Sequence, residues 1–320
     1  MQKAALLYNP DSGGRRERRR IQLESVLGLL RQSKVKCELL LAHSAPEAQQ
    51  LARGAIDEGC DTVFACGGDG TINNIIQVLA HTQVALAVLP IGTANALAHD
   101  LGLPMNPTTA ARRLLTSKPR RVALGRLHYR DLHGQSAERF FVVAAGAGVD
   151  AHLFYSLHSG TKSRMGMAAY YLKAWHLWLA HPMRRFAIEF AESCGDARRN
   201  AEVTELLAVR IRNFGGLLGE LAPGAGLERN DARLVFCRTD SRFAYLRYVS
   251  RGFLRTNWKV PGIELAHSAR VRCTYTADES AGPDGKPPKV YVETDGELVG
   301  TLPADISIVP DALTLLAPEM

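Results

Sequence analysis

The sequence predicts an α/β domain over residues 1–121 followed by a β-rich sandwich domain over residues 122–302. Two observations predict it. Within the first hundred residues, three apolar strand patterns each end in a glycine-containing loop that opens onto a helical pattern. That is the layout of a parallel sheet whose carboxyl edge gathers its loops at one ligand. After Lys118-Pro119-Arg120-Arg121 the helical pattern gives way to apolar runs joined by polar turns, the pattern of a strand-rich domain.

Residues 4–8 form the first strand pattern, followed by Asn9-Pro10-Asp11-Ser12-Gly13-Gly14 and a charged helix from Arg15 onward. Residues 35–41 read as a strand, and 46–58 as a helix with Pro46 early and Gly59 just past its end. The apolar run 62–65 leads into Cys66-Gly67-Gly68-Asp69-Gly70-Thr71. A helical pattern begins at Thr71 and continues through Ile72, Ile75, Ile76 and Leu79. The third junction runs from strand 84–89 through Pro90-Ile91-Gly92-Thr93-Ala94-Asn95 into a helix over 96–101, and 107–116 closes the domain as a helix. In the second domain, 122–129, 140–145, 186–191, 206–211, 233–237, 270–275 and 289–293 read as strands. Residues 163–180 and 242–257 read as helices, and 281–288 as an exposed loop.

The loop at 66–71 carries the sharpest chemical signal. Glycines let backbone N–H groups approach an anion, and a following helix N-terminus seats a phosphate. Asp69 stands among these glycines. A carboxylate repels a bare phosphate, so it calls for a hydrated Mg²⁺ or a proton to accept. The structural alternative is a tight turn with Asp as turn former. None of the three junctions fits G-x-x-x-x-G-K-[ST] or G-x-G-x-x-G.

The 320 residues suit two domains; 46% are hydrophobic and 22% charged, as in ordinary globular proteins. A net charge of +7 favours acidic partners, and nucleotide phosphates and anionic lipid headgroups both qualify. Nucleic acid is not expected, because no aromatic-interleaved basic motif is present. The six cysteines, 37, 60, 66, 194, 237 and 273, show no C-x-x-C spacing and read as reduced residues of a reducing compartment. The opening apolar run is too short for a signal peptide, and the stretch 165–179 is too short for a membrane span. The ten histidines form no ligand set.

Three loop sequences, Asn9-Pro10-x-Ser12-Gly13, Gly67-Gly68-Asp69-Gly70-Thr71 and Pro90-x-Gly92-Thr93-x-Asn95, resemble the successive signatures of the diacylglycerol kinase catalytic domain. Ala145-Gly146-Ala147-Gly148-Val149-Asp150-Ala151, then Arg212-Asn213-Phe214-Gly215-Gly216 with Pro223, then Asp295-Gly296-Glu297 resemble its later segments. The likeness runs from about residue 4 to residue 300. It implies a nucleotide-binding domain like that of diacylglycerol kinases and NAD kinases, with the chain returning to it over 303–320. It also implies an ATP- and Mg²⁺-dependent lipid kinase, cytoplasmic and transiently peripheral to the inner face of an anionic membrane, and it admits a homodimer. The acceptor would be diacylglycerol or a related lipid. A sphingoid base, NAD, or a catalytically silent nucleotide- or lipid-binding role are the alternatives.

By the same resemblance, Asn9, Ser12, Gly67, Gly68, Asp69, Gly70, Thr71, Gly92, Thr93 and Asn95 face the nucleotide. Asp295 and Glu297 are the acceptor-side carboxylates, placed to meet the phosphate loop across an interdomain cleft, and Asp69 is the alternative base. For Asp295-Gly296 the structural alternative is a plain hairpin turn. Asp231 falls where some relatives hold a structural Mg²⁺, and Asp69 is a second, water-mediated metal candidate. The chain departs from the family pattern at Ala42, Asn74 and Ala232, and at Ala96, which gives a version closer to sphingosine kinases. Arg247, Arg251 and Arg255 recur on one helical face, read as an ordinary charged face or as a membrane-surface helix.

Overall fold

The computed structural model describes residues 1–10, 16–148, 183–193, 198–215, 219–254, 259–276 and 289–318. Ser12, Arg15, Arg255, the helix expected over 163–180 and the loop 281–288 lie outside the described residues. The chain divides into two compact units. The first gathers Met1–Leu124, Asn213–Gly219 and Val309–Met320, and the second Gly125–Arg212 and Glu220–Ile308.

The first unit alternates β1 (Lys3–Tyr8), α1 (Arg16–Gln32), β2 (Lys36–Leu41), α2 (Ala45–Asp57), β3 (Thr62–Gly67), α3 (Asp69–Leu79), β4 (Ala85–Pro90), α4 (Ala96–Asp100) and α5 (Pro107–Leu115). Every residue of β3 and β4 is buried, as strands covered on both faces require, and both sequences are correspondingly apolar. Local chemistry sets the helix starts. Ser44 caps α2, with its hydroxyl accepting the Glu47 amide at 3.3 Å, while Glu47 Oε2 accepts the His43 amide at 2.6 Å. Asn106 caps α5 ahead of Pro107 in the first turn. The helix α3 begins at Asp69, two residues before the apolar periodicity announces it, with Gly68 as its N-cap. A first turn needs no apolar residue, and a carboxylate there complements the helix dipole.

The pairings of β1 with β2, β1 with β3 and β3 with β4 are all parallel. The sheet runs β4-β3-β1-β2, and the end of the final strand, β15 (Glu297–Ala317), extends it by pairing Thr314 with Ala85 and Leu315 with Leu86. Cys66 lies opposite Tyr8 on one side and Leu89 on the other. The loops after β1, β3 and β4 therefore leave the sheet at the same edge, where chain order reverses around β1.

The second unit is strand-rich. Its elements are the continuation of β5 (Lys118–Arg130), then β6 (Ser136–Phe141), β7 (Ala144–Gly148), β8 (Phe186–Ala191), β9 (Arg198–Val203), β10 (Glu205–Val209), β11 (Ala232–Cys237), α6 (Arg242–Leu254), β12 (Ile263–Ser268), β13 (Arg270–Tyr275), β14 (Tyr291–Thr294) and the first part of β15. Antiparallel pairing orders β12-β11-β10-β7-β14-β15, and a branch runs β15-β13-β8-β9. Phe141, Phe186, Phe190 and Phe236 anchor its core, the last two edge-to-face at 5.6 Å. The single strand expected over 140–145 is two strands, β6 and β7. The chain breaks pairing where the amides of Val142 and Val143 turn to a side chain instead.

Candidate active site

In the first unit the two glycine loops touch through bare backbone. A Cβ on Gly92 would collide with Gly68 Cα and lie 2.8 Å from Gly68 N, and a Cβ on Gly67 would collide with the Thr71 side chain. Ile91 N donates to Gly67 O at 3.3 Å. Glycine is needed here because any side chain would push the loops apart. Asn95 takes the left-handed conformation (φ 51°, ψ 43°) that Asn tolerates better than most residues, and its Nδ2 donates to Gly92 O at 3.1 Å. Its Oδ1 is buried without a hydrogen-bond partner. An orphaned buried acceptor of this kind marks a place where a ligand donor can be received.

Asp69 crosses from one loop to the other. Its Oδ2 accepts Ala96 N at 3.1 Å and its Oδ1 accepts Leu97 N at 3.3 Å. The N-terminal amides of α4 are thus taken by the protein's own carboxylate. The N-terminus of α3 has no side-chain cap, the kind of helix start that can seat an anion. The structure therefore brings Gly67, Gly68, Asp69, Gly70, Thr71, Gly92 and Asn95 together. Thr93 is exposed on the second loop, and Asn9 follows β1 at the same edge. At the far end of α4, Asp100 accepts Asn213 N at 2.9 Å, and His99 packs against Gly215. Burial pushes the Cys66 thiol up, so it stays protonated in the floor of the site.

In the second unit, Asp295 and Gly296 both have positive φ (49° and 79°), which places them at the two central positions of a type I′ hairpin between β14 and β15. The buried Asp295 carboxylate accepts three amides: Val142 at 3.1 Å, Val143 at 2.8 Å and Ala144 at 3.0 Å. Its own amide donates to Ala144 O at 2.8 Å. Glu297 has a different environment. Its side chain is 34% exposed, and Oε2 accepts from Arg139 at 2.9 Å. One turn thus presents two unlike carboxylates, one fixed by backbone amides and one reaching outward beside a guanidinium.

Asp231 sits elsewhere in this unit, against Arg229 (2.6 and 2.7 Å) and His267 (3.3 Å). Burial works against its charge, but hydrogen bonds from Arg229 and Ser193 hold its carboxyl below the usual range. Among the described residues, no three His, Cys, Asp or Glu side chains gather as a metal site. Arg139, Arg229 and Asp100 escape sequence reasoning, since their partners lie distant in sequence or, for Arg229, in a charged turn that reads as ordinary surface.

Glycine-bridged loops on a parallel α/β sheet, followed by a strand-rich unit, define the fold shared by diacylglycerol kinases and NAD kinases. The structure of a putative diacylglycerol kinase from Bacillus anthracis superposes with a TM-score of 0.73 at 17% identity, covering 99% of this chain and 97% of that one. Yeast NADH kinase gives a TM-score of 0.50 at 9% identity, over 99% and 84%. Residues 3–127 match the diacylglycerol kinase catalytic domain. A diacylglycerol kinase of Mycobacterium tuberculosis is 30% identical over 286 residues, which are 88% of this chain and 84% of the relative. The chain belongs to the diacylglycerol kinase family.

Proposed function

We propose that this chain transfers the γ-phosphoryl group of ATP to a hydroxyl of diacylglycerol or a related membrane lipid. The observation that carries the reading is the Asp69 bridge between the two glycine loops, beside an uncapped helix N-terminus and an orphaned Asn95 acceptor. Phosphoryl transfer asks mainly for positioning and charge neutralisation. Gly67, Gly68 and Gly92 let backbone approach the phosphates, and α3 seats one of them. Asn95 Oδ1 accepts a donor from the nucleotide. Each Asp69 oxygen accepts one amide, which leaves lone pairs to hold a water of a Mg²⁺ ion. When bound with the nucleotide, Mg²⁺ neutralises charge on its phosphates.

On the acceptor side, Glu297 takes the proton of the lipid hydroxyl as the bond to phosphorus forms. Arg139 orients it, and Asp295 fixes the turn that carries it. No helix among the described residues is long and apolar enough to cross a membrane. The lipid is then met at a bilayer surface, and a net charge of +7 favours an anionic one.

The test is incubation of the pure protein with labelled ATP and Mg²⁺ against diacylglycerol, a sphingoid base and NAD. Label in diacylglycerol supports the reading, and label confined to NAD overturns it.

A further inference from the structure

The loop between β10 and β11 is lined with hard oxygen donors of the kind a divalent cation takes. They are the carbonyls of Leu227, Arg229 and Asp231 and the Asp231 carboxylate. Guanidinium groups engage each of them. Arg210 on β10's exit is fully buried, and its Nη1 donates to Arg229 O at 2.7 Å and Asp231 O at 2.6 Å, with Nη2 reaching Leu227 O at 3.4 Å. Arg229 holds both Asp231 oxygens in a two-pronged pair at 2.6 and 2.7 Å. His267 Nδ1 lies 3.3 Å from the same carboxylate, and Arg212 ties Ala225 O at 3.2 Å. A cation entering here would meet two guanidiniums already in contact with its ligands, and like charges at that range repel strongly. The Asp231 surroundings therefore do not fit the structural Mg²⁺ that the family resemblance implies.

We infer that Arg210 and Arg229 are the resident cations of this loop, and that the second unit holds its shape without a divalent ion. Arg210 gathers carbonyls from inside, and Arg229 closes the carboxylate from outside. This inference is independent of the proposed activity.

The test uses the nucleotide-free full chain. Thermal unfolding is followed in EDTA and in millimolar MgCl₂ at matched ionic strength, for wild type and for Asp231→Asn. The expected result is the same wild-type midpoint in both buffers. Any Mg²⁺ effect that persists in Asp231→Asn belongs to another site and leaves the inference standing. A wild-type midpoint that drops in EDTA, with the drop abolished by Asp231→Asn, overturns it. Because the wild-type comparison decides, the result stands even where Arg210 or Arg229 variants fail to fold. Where Arg229→Gln does fold, its midpoint is lower than wild type in both buffers; an unchanged midpoint counts against the role of Arg229.

Discussion

The Asp69 carboxylate accepts the amide of Ala96 at 3.1 Å, twenty-seven residues further along the chain. One side chain therefore both opens α3 and caps α4, so its charge and its shape have separate duties. Asp69→Ala removes both. It is expected to abolish transfer and to cost about 1 kcal/mol, the usual loss of a helix cap. Asp69→Asn keeps an amide acceptor and recovers part of that stability, yet stays inactive. Unfolding midpoints and lipid phosphorylation measured on both variants separate the duties. Wild-type turnover in Asp69→Asn would reduce the residue to a cap.

Gly92 and Gly68 meet without side chains, so Gly92→Ala drives a methyl into backbone that has no room to yield. We expect a loss of about 1–3 kcal/mol, the cost of overpacking, together with weakened ATP binding. Calorimetric titration with ATP checks the second part. Unchanged affinity would mean that the contact between the loops is not what shapes the donor site.

The two carboxylates proposed for the acceptor side, Asp295 and Glu297, should separate under isosteric substitution. Asp295→Asn places an amide donor against backbone donors, and an unsatisfied buried group costs about 1–3 kcal/mol. Glu297→Gln should leave the unfolding midpoint close to wild type while slowing transfer by about 10²–10⁴, as loss of a general base does. ATP affinity should be spared. Fast transfer by Glu297→Gln, with Asp69→Asn inactive but still binding ATP, would move the base to Asp69.

Acid should loosen the second unit through Asp231 and His267. Burial first, then the neighbouring Arg233, hold His267 below its ordinary value of 6.5, against the pull of Asp231. A depressed folded-state value means that the unfolded chain binds the proton more readily. The stability is present above the ordinary value and is lost as pH falls through the folded one. Asp231, held below 3.8, adds a second loss of the same sign at lower pH. Unfolding midpoints measured from about pH 7 to about pH 5 should fall, and His267→Gln should flatten that fall. A His267→Gln curve parallel to wild type would remove His267 from the account.

The parallel sheet was legible because β1, β3 and β4 are apolar runs that each lead into a glycine-containing loop. The hairpin at Asp295-Gly296 was legible as a turn, yet what Asp295 does there was not. Its three amide donors lie 151 to 153 residues earlier, and no local pattern records a partner at that range. Arg139 pairs with Glu297 across 158 residues for the same reason. The strand β9, with sequence Arg-Arg-Asn-Ala-Glu-Val, gave no apolar signal because among the described residues it pairs only with β8 and keeps the polar side chains Arg198, Asn200 and Glu202 toward water. Asp231 suggested a cation ligand by its place in the sequence, and its charged neighbours became visible only once β10, β11 and β12 were side by side.

The first unit is assembled from three stretches of chain, and the last of them, beginning at Val309, supplies the strand that pairs with β4. During synthesis the glycine loops at 66–71 and 90–95 leave the ribosome early, while the strand that completes their sheet follows only after the whole second unit has been made. A nascent chain halted before residue 309 carries every glycine of these loops and still has an open edge at β4. The sheet that carries these loops is therefore completed late, and a premature stop anywhere upstream of Val309 truncates the first unit even where its first 124 residues are intact.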